Sequence, residues 1–191
     1  MVWNGFHYKR GEKQNVFKTE GGIRQVEQVA DRLAIQEVLF LHSRGLDRAD
    51  AALLQSCYWP EAEVDYGSYK GPAAAFAEMV VAVLADSYEL TQHTVANTLV
   101  RFDGVLAYTE SQVTARHLVQ GGAEEMIYVG RYLDKLERRE QVWKMMHRQV
   151  VMDWSRREAV VDERESDAFV ALAKGGHTEN DPSALHPGFE S

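Results

Sequence analysis

"ELTQHTVANTLVRFDG" (residues 89–104) is the stretch where the hydrophobic period of the chain changes from that of a helix to that of a strand. As a strand it places His93, Val95, Asn97 and Leu99 on one face and Thr94, Ala96, Thr98 and Val100 on the other. It stops at Asp103-Gly104, a turn signal. Three more strand-like runs follow, at about 105–119, 125–138 and 142–154, punctuated by Gly121-Gly122 and Glu140-Gln141. Connections this short imply antiparallel neighbours. His93 therefore enters a sheet, either as a core imidazole with a satisfied hydrogen bond or as the base of a buried pocket.

Upstream the pattern is helical. Residues 23–46 carry an apolar stripe that begins at Val26, Val29 and Leu33 and continues through Ile35, Val38, Leu39, His42 and Leu46. Gly45 weakens its end, and Asp47 follows. A second helix is expected over 48–57, stopped by Pro60, and a third over 73–86 with Phe76, Met79, Val80, Val83 and Leu84 inward. Between them "AEVDYGSYKG" (62–71) alternates as a strand and then turns at Gly71-Pro72. The order is helix, helix, strand, helix and four antiparallel strands. This is an α+β domain whose helices gather on one face of a curved sheet and leave a pocket between. Residues 1–22 read as an aromatic-dotted N-terminal extension, 23–156 as the domain, and 157–191 as a C-terminal tail with a short helix near 164–174.

Bulk properties narrow the function. The chain has 191 residues, 45% hydrophobic and 26% charged, with a formal net charge of −8. That suits one soluble domain and argues against a phosphate-backbone binder, which needs a basic face. Cys57 is alone, so there is neither an internal disulfide nor a thiolate zinc site. No run reaches membrane-span length, and "MVWNGFHYKRGEKQ" lacks the apolar core of a signal peptide, so a cytoplasmic location is the default. No HExxH-type spacing supports a metal, and neither diglycine sits in a nucleotide-binding context. No cofactor, no metal, no nucleic acid and no membrane are expected.

The candidate chemistry lies on strand faces and helix ends. In 142–154, Lys144, Met146, Arg148, Val150 and Met152 share a face by simple alternation, so a guanidinium among apolar neighbours must find an acid, a partner chain or a substrate oxygen. In 125–138, Tyr128, Gly130, Tyr132 and Asp134 share a face. Asp47 stands at a helix C-terminus, where the macrodipole disfavours an acid. A hydrogen bond to an imidazole is a good reason for it, because a carboxylate fixes the tautomer and stabilises the imidazolium. His117 and His147 read as structural.

These residues resemble a family. "DRLAIQEVLFLHSRGLDRADAALLQSCYWPEAEVDYGSYKGP", "TQHTVANTLV" and "GRYLDKLERREQVWKMMHRQVVMDW" are together similar to the SnoaL-like branch of the nuclear transport factor 2-like superfamily, over roughly residues 25–156. The resemblance implies a cone-shaped antiparallel sheet with three helices, and enzymes such as scytalone dehydratase, hexachlorocyclohexane dehydrochlorinase, bile-acid dehydratases and diarylpropane lyases. It puts Asp47 and His93 at the catalytic dyad, Tyr66 at a tyrosine that holds a water or substrate oxygen, and Arg148 at a pocket arginine. His42 and Tyr132 depart from the residues that relatives have there.

The implied activity is a cofactor-independent lyase for an apolar aromatic or polycyclic molecule, expelling water or an aldehyde such as formaldehyde. The expected catalytic set is His93, Asp47, Arg148, Tyr66 and His42. Tyr58, Trp59, Tyr132, Met146 and Asn97 would bind substrate. A homo-oligomer, dimer or trimer, is expected through the convex face of the sheet. Two other readings remain open: a cofactor-free isomerase or cyclase, and a non-catalytic binding or assembly module like the small subunit of ring-hydroxylating dioxygenases.

Overall fold

The structure, a computed structural model, describes residues 22–188. The expected N-terminal extension lies outside the described residues apart from Gly22. Three helices, α1 (Gly22–Asp47), α2 (Ala51–Ser56) and α3 (Ala73–Ser87), accompany six strands. These are β1 (Tyr58–Asp65), β2 (Lys70–Pro72), β3 (Tyr88–Asp103), β4 (Leu106–Val119), β5 (Glu124–Arg139) and β6 (Val142–Ala159). They form one curved, unclosed sheet in the order β2-β1-β6-β5-β4-β3, the α+β cone. The four long strands are an antiparallel meander, and β1 pairs in parallel with β6.

Local chemistry sets the joints. Ala49 closes α1 in the left-handed region (φ 52°), and the Asp50 side chain accepts from Leu53 N at 2.8 Å, so α2 starts at 51 rather than 48. A Cβ on Gly45 would stand 2.7 Å from Leu54 Cγ. The bare α-carbon is what lets α2 fold back against α1. Pro60 does not end a helix. It lies within β1 where pairing with β6 lapses between Tyr58 and Glu63, so its missing N–H costs no ladder bond.

The helices cover one face of the sheet with Ile35, Leu39, Phe76, Leu136, Trp143 and Met145, all buried. Val29 and Leu33, read as the start of the inner stripe of α1, are exposed instead, as are Met79 and Val83 on α3. Two bulges overturn the simple alternation expected of β3 and β6. In β3, Ala96 pairs with Gln112 and Leu99 with Glu110, so Asn97 and Thr98 oppose a single residue. Asn97 takes φ 49° and Val100 becomes the inward residue. In β6, Met145 pairs with Leu136 and His147 with Lys135, leaving Met146 without a partner. Trp143, Met145 and Arg148 therefore all face the core.

The tail is not a short helix near 164–174. It makes turns there, then two 3-10 turns at Thr178–Asn180 and Pro182–Leu185, packed against the end of α1. Among the described residues, no helix is long and apolar enough to cross a membrane.

Candidate active site

Two polar groups are built on the inner face of the sheet, both using the C-terminal half of α1. The first joins Asp47, the last residue of α1, to β3. Asp47 Oδ1 lies 2.7 Å from His93 Nδ1. The same carboxylate accepts from Thr91 Oγ1 at 2.9 Å and from His93 N at 2.9 Å. These donors offset the cost of holding an acid beside the terminal carbonyls of α1. A carboxylate only accepts, so Nδ1 of His93 carries a proton, and in the neutral ring that tautomer presents the lone pair on Nε2. No protein hydrogen bond among the described residues engages Nε2.

The second group centres on Arg148, which is 0% exposed. Asp134 faces it across the β5–β6 ladder. Arg148 Nε and Nη2 donate to the two Asp134 oxygens at 2.7 and 2.8 Å, and Nη1 donates to His42 Nδ1 at 2.9 Å. The Tyr132 ring lies 4.0 Å from the guanidinium carbon. Arginine only donates, so His42 Nδ1 accepts and its proton sits on Nε2, donated to the Tyr58 hydroxyl at 2.9 Å. Burial, then Arg148, then His93, hold the His42 pKa well below its usual value, so the ring is neutral. That His42 feels both Arg148 and His93 places the two groups in one electrostatic neighbourhood.

Burial likewise raises Tyr58, Tyr66 and Tyr132 above the ordinary phenol range. Tyr66 stacks on Phe76 with centroids 4.1 Å apart. Its buried hydroxyl lies near enough to Arg148 and Tyr58 to feel both, yet no neighbour among the described residues completes a hydrogen bond to it. It is the inner hydroxyl with unspent bonding capacity.

Of the expected site residues, the structure gathers His93 with Asp47, and Arg148 with His42, Tyr58, Tyr66 and Tyr132. Three others stand apart. Met146, displaced by its bulge, turns its sulfur to Arg139 Nη2 at 3.4 Å. Asn97, on the β3 bulge, donates to Gln112 Oε1 at 2.8 Å on the exposed side. Trp59 donates to Glu137 O at 3.0 Å beneath Arg139 and lines an outer groove of about 430 Å³ with Tyr58, Pro60 and Lys144.

Sequence reasoning missed three residues. Asp134 answers the need of Arg148 for an acid, and its signal was an acid on the same strand face as Tyr132. Thr91 is the second donor to Asp47. His117, read as structural, meets the His93 ring edge-on with centroids 5.4 Å apart. Burial, then His93, lower its pKa to about 4, and its buried Nδ1 has no partner among the described residues. It lies opposite Thr91, one residue away from where counting outward from the Asp103-Gly104 turn would put it, because of the β3 bulge. Among the described residues no group of three or more His, Cys, Asp or Glu side chains is arranged to hold a metal ion.

The cone-shaped α+β sheet and the relatives of this chain place it in the SnoaL-like branch of the nuclear transport factor 2-like superfamily. The chain belongs to the SnoaL-like domain family, whose model matches residues 27–149. It is 29% identical over 126 residues to hexachlorocyclohexane dehydrochlorinase 1 of Sphingobium indicum, covering 63% of this chain and 80% of that one. A solved type 2 hexachlorocyclohexane dehydrochlorinase superposes with a TM-score of 0.65 at 23% identity, covering 72% of this chain and 95% of its own. A candidate scytalone dehydratase from Novosphingobium aromaticivorans does so with a TM-score of 0.65 at 19% identity, covering 72% and 93%. The family and the curated relative together support an enzyme of lyase or isomerase type.

Proposed function

We propose that the protein is a cofactor-independent lyase in which His93, steered by Asp47, removes a proton from the substrate while the Tyr66 end of the cone receives the departing oxygen. The observation that carries this reading is the 2.7 Å Asp47–His93 contact, with no protein hydrogen bond to Nε2 among the described residues. A carboxylate on Nδ1 fixes the tautomer that presents Nε2 as a base and stabilises the imidazolium once the proton arrives. A base so placed contributes about 10²–10⁴ in rate.

At the opposite group, Asp134 neutralises Arg148, and His42 and the tyrosines are neutral. The inner end thus offers hydrogen bonds without net charge. That favours an oxygen that leaves protonated, as water or an alcohol or phenol, over a halide anion. Tyr66 donates to the breaking C–O bond, and the proton that His93 has taken is returned to Tyr66 through solvent once the product leaves. The C–H electrons form the new double bond, the proton goes to His93 Nε2, and the C–O electrons leave with the oxygen.

Tyr58, Tyr66 and Tyr132 suit an aromatic or polycyclic body with an ether or hydroxyl group. Loss of water is this reaction; loss of formaldehyde from a lignin-derived diaryl compound is its variant, in which His93 takes the proton of a hydroxymethyl O–H, those electrons form the C=O bond, the C–C electrons form the new double bond, and the C–O electrons leave with the oxygen. Mass spectrometry of oxygenated diaryl substrates incubated with the protein tests the reading. A fragment of water or formaldehyde is expected from the wild type and not from His93→Ala. Products of unchanged mass would instead indicate an isomerase or cyclase.

A further inference from the structure

The C-terminal segment lies beyond the family match, which ends at residue 149, yet it touches both elements that carry the Asp47–His93 pair. On the strand side, Arg164 Nη2 lies 3.7 Å from Glu89 of β3, and Gly175 sits against Leu90, where an added Cβ would stand 3.8 Å from Leu90 Cδ2. Thr91 and His93, the two donors to Asp47, follow directly along that strand. On the helix side, Thr178 N donates to Arg48 O at 2.8 Å, capping the carbonyl next to Asp47. Arg48 Nε lies 3.3 Å from Asp181 Oδ2, and Arg44 Nη2 donates to Ser183 Oγ at 3.1 Å. Arg48 in turn reaches back to the Asp47 carbonyl at 3.1 Å.

Asp181 is the centre of this contact. It is 6% exposed, unusual for an acid in a terminal segment. Its carboxylate accepts from Gly176 N at 3.0 Å, from Ser183 N at 2.9 Å and from the Ser183 hydroxyl. The segment is thus folded around one carboxylate, and that carboxylate faces the arginine adjoining the dyad acid. A cavity of about 330 Å³ separates Gly175 from Asp47 and Thr91. The tail therefore reaches the pair through Arg48 and Leu90 rather than by filling the site.

We infer that residues 164–183 form a clasp that holds the end of α1 against β3, with Asp181 a positioning residue for the Asp47–His93 hydrogen bond. β3 is an edge strand, and α1 ends beside it in a turn. Beside the direct bonds from Asp47 to Thr91 and His93, the tail adds a second tie between the two elements, and on this proposal the spacing of the pair depends on it. That the pair is worth positioning rests on the reading of His93 as a base, but the test does not.

The experiment uses the full chain, isotopically labelled, with no substrate. The His93 Nδ1–H resonance, assigned by its loss in His93→Gln, and exchange of the His93 backbone N–H report the bond to Asp47. Asp181→Ala and Arg48→Gln are each expected to shift or broaden the resonance and speed His93 N–H exchange by about tenfold, with the β5–β6 ladder still protected. Asp181→Glu is expected to restore part of both. If Asp181→Ala does not fold, Arg48→Gln carries the same comparison. An unchanged resonance and exchange rate, or an equal loss of protection throughout β5 and β6, overturns the clasp. A wild type without turnover whose resonance still responds to Asp181→Ala sinks the elimination chemistry and leaves the clasp standing.

Discussion

Replacing Asp134 with asparagine is the sharpest test of how the inner end of the cone is balanced. The Arg148 and Asp134 side chains are both 0% exposed, and their two hydrogen bonds are 2.7 and 2.8 Å long. In Asp134→Asn one of the two accepting oxygens becomes an NH2 that faces a guanidinium N–H, donor against donor, and the charge of Arg148 is left uncompensated. Breaking a buried pair from one side costs about 3–5 kcal/mol. For a chain of this size that lowers Tm by about 6–20 °C. Removing both charges, as Asp134→Leu with Arg148→Met, costs less. The remaining loss is that of the donor to His42 Nδ1, about 1–3 kcal/mol. Urea unfolding of wild type, Asp134→Leu, Arg148→Met and the double variant measures the coupling, with equal m values as the check that the unfolded state is unchanged. A single variant within about 1 kcal/mol of wild type, a magnitude typical of surface pairs, refutes the claim that this pair is the balanced core of the site.

His93→Ala and Asp47→Asn are each expected to lower kcat/KM by about two orders of magnitude or more with the circular dichroism spectrum preserved; near-wild-type turnover in either removes it from the mechanism. Tyr66→Phe deletes a buried hydroxyl that has no partner among the described residues, so calorimetry should show stability unchanged or higher by about 1 kcal/mol while turnover drops. Acid titration tests His117. Its folded pKa, about 4, lies below the unfolded value, so the unfolded chain binds the extra proton and stability falls as pH drops from about 6.5 toward 4. The slope from this one group is about 1.4 kcal/mol per pH unit, and His117→Phe should flatten it. Gly130→Ala would push a Cβ to 2.1 Å from Val151 O and 2.3 Å from the Tyr128 hydroxyl, so expression of soluble protein should fall sharply; a variant as stable as wild type would contradict the packing of β5 on β6.

The legible parts of the fold were those whose signals are local. Asp103-Gly104, Gly121-Gly122 and Glu140-Gln141 mark turns through their own backbone preferences, so the four-strand meander could be read residue by residue. Asp47 and His93 were reachable because a helix end and a strand each leave an identifiable position, and the family resemblance aligned them. The faces of β3 and β6 were not legible beyond the bulges. A bulge is set by the partner strand and the curvature of the whole sheet, and one extra residue at Met146 or Asn97 moves the side chains that follow it to the opposite face. The partner of Arg148 was hidden for the same reason, since alternation placed the arginine among methionines and valines rather than opposite Asp134. Pro60 misled because a proline is punctuation in a helix and harmless where a strand has lost its neighbour. The docking of the tail follows from Asp181 meeting Arg48, a contact between distant segments that no periodicity reports.

The parallel pairing of β1 with β6 has a consequence for how the protein is made. Val64 and Arg148 are register partners, so the first long strand must wait for the last before the middle of the sheet exists. During synthesis α1 and β1 emerge early with His42 and Tyr58 still hydrated, and Asp134 leaves the ribosome ahead of its cation. Contacts that span this much chain make for slow folding, because the loop must close before it is rewarded. The interior of the cone is therefore dried and charged in one late event, when the strand bearing Arg148 inserts between two neighbours already waiting.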